Sequence, residues 1–153
     1  MKILHWETLS FRSSSILKLF KHHLPTGGEI EEHRHDFHEI FWILSGEAEH
    51  EVNGERSRLR HGDLVWIRPH DRHRVTGASR QPLQFYNLAF PAEIIGELTA
   101  RYEEFRYYFG SDNRQPIMIP LSESLFEWLD RGAAGLRNNP ESRLALDRFL
   151  MNL

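Results

Sequence analysis

The chain has 153 residues with 19 Lys plus Arg against 22 Asp plus Glu, a net charge of −3; it is sized for one domain and lacks the cationic excess that stand-alone nucleic-acid binding needs. Phe, Trp and Tyr make up 12%, enough bulk to fill a core and to argue against disorder. Cysteine is absent, which excludes disulfides, thiolate zinc sites and cysteine nucleophiles and leaves ten His as the feature that needs a reason.

The N-terminal run is broken by His5 and Glu7, so it does not read as a targeting signal. No stretch approaches the roughly 18 apolar residues of a membrane span, and a cytoplasmic location is the expectation. Residues 16–20 form a short apolar run that stops at Pro25-Thr26-Gly27-Gly28. Residues 39–44 are rich in aromatic and β-branched side chains and stop at Ser45-Gly46. Residues 47–52 and 55–60 flank Asn53-Gly54, a pair that accepts positive φ at both positions and predicts a tight hairpin. Gly62-Asp63 opens a strand over 64–67, and 83–90 is another. Short strands with turn signals at this spacing predict a mainly β domain, a sandwich or barrel, over residues 1–91.

After Pro91 the period changes. Ile94, Ile95, Leu98, Tyr102 and Phe105 fall on one helical face. Ser124 and Glu127 have capping-box spacing, and Asn139-Pro140-Glu141 has the composition of a helix start. Leu144, Phe149, Leu150 and Leu153 then make an apolar stripe. The prediction is about three helices over 92–153, packed on the barrel. No stop signal follows the last one, so the natural chain is expected to continue past Leu153.

His33, His35 and Glu39 share sequence parity, and on one strand they point to one face. Phe37 shares that face, and Phe41 and Ile43 continue it with apolar cover. Ile40, Trp42 and Leu44 lie opposite and need a cover, either the helices after Pro91 or a second subunit. His73, near the start of another strand, closes the site from across the barrel. Three imidazoles and one carboxylate suit a divalent transition metal (zinc, nickel, iron or manganese) with open positions left over. Without a metal, the same groups would bind ligand hydroxyls. Trp66, Arg68, Tyr86 and Asn87 are candidates to line a sugar pocket. His22, His23, His38, His50 and His61 read as non-ligands: His38 has the wrong parity, and His50 and His61 flank charged turns. His70 reads as a loop residue, and the Arg-rich stretches 56–60 and 68–74 as solvated surface.

Gly27, then His33-Arg34-His35, Glu39 and Gly46 match the defining positions of the first cupin motif, and Gly62 with His73 resembles the second. Arg68 stands where the second motif has proline, His70 where it has glycine and Gly77 where it has asparagine. The run from His35 to Ile40, Gly46, Gly62-Asp63 and His70-Asp71-Arg72-His73 resembles the sensor domain of AraC-type transcription regulators, nearest the rhamnose, melibiose and chitobiose branches. The resemblance implies a cupin (double-stranded β-helix) barrel, helices used for homodimerisation, and a small, commonly sugar-like effector inside the barrel; from residue type and position, Phe37, Trp66, Arg68 and Tyr86 are the residues expected to bind it. It implies that DNA is met only through a C-terminal helix-turn-helix region, which is absent here. It does not imply an enzyme. The alternative is a small metal-dependent cupin enzyme, a dioxygenase or sugar isomerase, since three His and one Glu with open positions also serve such chemistry.

Overall fold

The computed structural model describes residues 2–9, 14–109 and 116–153. Its elements are β1 (Lys2–Leu4), α1 (Trp6–Leu9), β2 (Lys18–Leu24), β3 (Glu29–His35), β4 (Phe37–Ser45), β5 (Glu47–Val52), β6 (Glu55–Arg60), β7 (Asp63–Ile67), β8 (His73–Gly77), β9 (Leu83–Pro91), α2 (Ala92–Arg101), α3 (Glu103–Phe109), β10 (Ile117–Pro120), α4 (Glu123–Asn138) and α5 (Arg143–Leu150). Two five-stranded sheets run in the orders β1-β3-β8-β5-β6 and β10-β7-β4-β9-β2. The chain crosses repeatedly between them, which makes a cupin-type double-stranded β-helix barrel followed by helices.

Two apolar clusters hold it together. Between the sheets lie Phe41, Ile43, Val65, Ile67 and Phe85 from one sheet against Ala48, Val52, Leu59 and Val75 from the other. On the far side of the second sheet, Ile40, Trp42, Leu64, Trp66 and Leu88 pack with Ile94 and Leu98 of α2, Leu129 and Ala133 of α4, and Leu146 and Phe149 of α5. The cover that Ile40, Trp42 and Leu44 require is thus the chain's own helices. Being buried on both faces, the first seven residues of β4 are buried without alternation.

Several local expectations need correction. The change from strand to helix falls between Pro91 and Ala92, but β10 then returns to pair with β7, and four helices follow Pro91 among the described residues. The helical face from Ile94 to Phe105 is split at Tyr102, whose backbone is extended. The cap of α4 is Ser122, which accepts from the Leu125 N–H, two residues before the predicted box. Asn139 closes α4, and Ser142 opens α5 by accepting from the Ala145 N–H. At both helix starts the serine hydroxyl satisfies an otherwise unpaired amide of the first turn. α5 ends at Leu150, capped by the Met151 N–H to Asp147 and Phe149. Leu144 is 70% exposed, while Leu146 takes its expected place in the core.

The turns carry the positive-φ residues: Asn53 at 51° with Gly54 at 90°, Gly46 at 80°, and His70 at 76°. A Cβ on Gly46 would lie 2.7 Å from the Pro82 carbonyl oxygen, whereas one on Gly54 meets nothing within 4 Å. Gly46→Ala should therefore lower stability by about 2–4 kcal/mol and Gly54→Ala by about 1 kcal/mol. Urea unfolding of both variants checks the order, and an equal loss would contradict the steric account. His70 holds a left-handed backbone where the cupin motif has glycine, so His70→Gly should stabilise by about 0.5–1 kcal/mol on the same measurement.

Candidate functional site

The site is built at a corner of the barrel. β3 and β4 do not form one strand, as parity alone predicts. The chain bends at Asp36, and the two strands join different sheets. The N-terminal arm pins this bend. The Asp36 carboxylate accepts from the Trp6 N–H at 2.8 Å and pairs with His5 Nδ1 at 2.7 Å, while the Trp6 ring meets Phe37 edge-on at 5.9 Å. The inner faces of the two sheets meet at this corner, so His33, His35, Phe37 and Glu39 are all buried despite the break.

His33 sits directly across from His73 in the β3–β8 ladder, with ring centroids 4.3 Å apart. One ligand atom each from His33, Glu39 and His73 lie within 4.8 Å of one another. His35 Nε2 lies 3.6 Å from Glu39 Oε2, and His73 Nε2 lies 4.0 Å from Glu39 Oε1. These gaps exceed hydrogen-bond length. They are longer than the separations of about 3.0–3.5 Å between ligands that each sit about 2.0–2.2 Å from one ion, so holding an ion would draw these side chains together. Nδ1 of His33 bonds the Glu31 carbonyl at 2.9 Å and Nδ1 of His35 the Phe37 carbonyl at 2.7 Å. A carbonyl only accepts, so in the neutral rings Nδ1 carries the proton and Nε2 keeps its lone pair. His35 is further fixed by stacking on Phe37 at 4.3 Å, which holds it beside Glu39 but outside the tightest triad.

Burial sets the electrostatics. It lowers His35 to about 4 and His73 well below the usual imidazole range. It raises Glu39 to about 7, against a hydrogen bond from Asn87 that favours the carboxylate. Each group is thus driven towards its neutral form. His35 Nε2 and both ring nitrogens of His73 are buried without a hydrogen-bond partner. A divalent cation fits this donor set, since lone pairs from neutral imidazoles and one carboxylate are what it requires.

The adjoining cavity inside the barrel measures about 200 Å³ and is lined in part by His22, His33, Phe37, Glu39, His73 and Asn87. Phe37 and Asn87 thus line this cavity. Trp66 and Tyr86 do not: they lie on the outer face of their sheet. Trp66 donates to His38 Nδ1 at 3.2 Å, and Tyr86 packs on Trp42 at 5.3 Å and accepts from Arg137 at 2.9 Å. Trp66 and Tyr86 pair with Ile40 and Trp42 of β4, whose parity opposes that of Glu39 and of Phe41, the partner of Asn87. Trp66 instead edges a larger groove of about 560 Å³ between the sheet and α3, where Glu104 is the one metal-competent group among the described lining residues.

Arg68 is not solvated surface either. It is buried and bonds Asp71 Oδ2 through both its backbone N–H, at 3.0 Å, and its Nε, at 3.1 Å. Asp71 Oδ1 accepts from Asn53 at 2.8 Å, and Asn53 Oδ1 accepts from the Arg72 N–H at 3.0 Å. The turn before His73 is thus tied to the tip of the β5–β6 hairpin. His70 is a turn residue whose N–H reaches the His35 carbonyl at 3.0 Å. His38 lies opposite Glu39, stacked on Phe90 at 5.6 Å.

Two residues escape the sequence reading. His50 is 1% exposed, with neither ring nitrogen bonded and its ring 5.8 Å from His73. The alternation of Ala48, His50 and Val52 was the available signal, since all three are buried in β5. His22 stacks on Phe85 at 4.9 Å and lines the cavity; it alternates with Phe20 and Leu24 in the same way.

Residues 25–153 match the family model for the AraC-like ligand-binding domain. The chain belongs to that family. Among curated members, the HTH-type transcriptional activator RhaS of Klebsiella pneumoniae (strain 342) is 37% identical over 73 residues, 48% of this chain and 26% of that protein. RhaS of Escherichia coli (strain K12 / DH10B) is 40% identical over 45 residues, 29% of this chain and 16% of that protein. The matches to this AraC-like ligand-binding domain therefore span about a quarter or less of these relatives' length. ToxT from Vibrio cholerae O395 superposes with a TM-score of 0.63 at 13% identity, over 88% of this chain and 51% of that one, which shows a shared fold. Among the described residues, no helix is long and apolar enough to cross a membrane.

The buried imidazoles give this AraC-like ligand-binding domain a pH dependence. His35, His38 and His50 titrate at about 4, about 3 and about 4, each depressed chiefly by burial from 6.5. As pH falls below 6.5 the unfolded chain takes up protons that the folded chain refuses, so stability drops. Glu39 works the other way, losing stability as pH rises from 4.5 through about 7. Between pH 7 and pH 5 each imidazole costs about 2 kcal/mol and Glu39 returns about 2 kcal/mol. Without added metal, the urea midpoint should therefore be lower at pH 5 than at pH 7; a higher one would contradict the burial of these rings.

Proposed function

We propose that this domain is the sensing and dimerisation part of a cytoplasmic transcription regulator, and that its barrel holds a divalent cation and a small effector. The observation that carries the reading is a ligand-sized cavity of about 200 Å³, in an AraC-like ligand-binding domain, with His33, Glu39 and His73 gathered at its edge. His33, His35, Glu39 and His73 would hold the cation, which supplies a Lewis-acid anchor for ligand oxygens. Phe37 and Asn87 would contact the effector beside it. A sugar-like effector, expected from the resemblance to the rhamnose branch, is one member of the class of oxygen-rich ligands such an anchor accepts. Effector binding would shift the population between two arrangements of barrel and helices, and only a ligand that binds them unequally can do so. Reading out to DNA would fall to a separate helix-turn-helix region. Phe149 and Leu150 are taken up by the chain's own core, so a homodimer contact would draw on the exposed Leu144 and Met151.

A metal-dependent cupin enzyme is the second reading. It draws on the donor set itself, since three imidazoles and one carboxylate with open positions left over also suit a Lewis-acid metal centre. The named relatives, transcriptional activators, favour the regulator.

Elemental analysis of protein purified without a His-tag or chelator tests the cation site. About one equivalent of metal is expected, and a large loss in the His33→Ala, His35→Ala double variant; equal content in the two would sink the site. Zinc or nickel at a hundredfold excess over its Kd should raise Tm by about 5–10 °C, reversed by a chelator.

A further inference from the structure

The interior cavity has nine apolar and five polar lining residues. The polar ones are not spread around it. His33, Glu39 and His73 converge within 4.8 Å, and Asn87 bonds Glu39, so four of the five gather at one end. The fifth, His22, lies flat on Phe85 at 4.9 Å. The remaining wall includes Leu9, Phe20, Phe37, Phe41, Val75 and Phe85. A ligand that matches this cavity has one polar head and an apolar body. An apolar cavity of about 150 Å³ accommodates benzene, so about 200 Å³ has room for a body of that size and a compact head.

A pyranose carries hydroxyls around its whole rim. Those facing the phenylalanine wall would lose their water and gain no partner, each at a cost of about tenfold in affinity. Charge specifies the head. A divalent cation with an ionised Glu39 leaves one positive charge in a buried site, and a single carboxylate neutralises it. Asn87 Oδ1 is buried with no hydrogen-bond partner; it needs a donor, which a hydroxyl next to that carboxylate provides.

We propose that the barrel's ligand is a small hydroxy acid, with a carboxylate and an adjacent hydroxyl at the cation and Asn87, and an apolar body of about phenyl size among Phe37, Phe41 and Phe85. This rests on the sensing reading above and narrows its ligand.

Isothermal titration of the zinc-loaded chain with 2-hydroxybenzoate, glycolate and L-rhamnose tests it, after zinc content has been measured. 2-Hydroxybenzoate should bind at least about tenfold tighter than glycolate, which has the head without the body, and tighter than L-rhamnose. Ala89 lines the cavity and lies across from Glu39 in the β4–β9 ladder; Ala89→Val narrows the cavity while every metal ligand is kept. It should weaken 2-hydroxybenzoate about fivefold or more while zinc content is unchanged, with circular dichroism confirming the fold. Equal affinity for glycolate and 2-hydroxybenzoate, preference for L-rhamnose, or an unchanged affinity in folded Ala89→Val overturns the proposal. A zinc-loaded chain that binds L-rhamnose and not the acid sinks the ligand class alone. A chain that takes up neither zinc nor any of the three sinks the sensing reading with it.

Discussion

Strand β4 has no face turned to solvent, and that constraint arranges the rest of the molecule. Its alternate side chains serve two different interiors. Phe37, Glu39, Phe41 and Ile43 point between the sheets, while His38, Ile40 and Trp42 point at the helices. Whatever displaces one side of this strand is felt on the other, because close-packed interiors transmit shifts of well under a side chain's width. The functional site and the helical layer are thus separated by the thickness of one sheet.

The donor cluster is a standing cost within that frame. Buried polar atoms without partners each cost about 1–3 kcal/mol, and His35, His50, His73 and Asn87 all carry such atoms. The apolar clusters on both sides of the sheet offset this and keep the rings in place. A site of this kind gains from any partner that satisfies its lone pairs, so its occupancy and the stability of the barrel are linked.

Much of this was legible in the residues. The parity of His33, His35, Phe37 and Glu39 predicts one buried face, and the face is there even though the strand is not. At a barrel corner the inner surfaces of two sheets are continuous, so a bend at Asp36 changes the sheet without changing inward for outward. What parity could not reveal is which interior a residue faces once a sheet is covered on both sides. Trp66 and Tyr86 are aromatic and sheltered as expected, but against helices. His50 was obscured by the charges around it, since Glu49 and Glu51 belong to the outer face of the same strand. The helix caps were misplaced because several serines and asparagines compete over a few residues, and only packing selects among them.

The turn that precedes His73 departs from the cupin motif, and the departure has its own counterweight. Where a proline would stiffen the backbone covalently, Arg68 does so by sharing the carboxylate of Asp71, whose other oxygen fastens Asn53. The three positions form a clasp. Placing proline at 68 would remove the donors and leave Asp71 half satisfied under the rim, so descendants of this chain are expected to exchange those residues as a group, by way of intermediates that are poorer than either end.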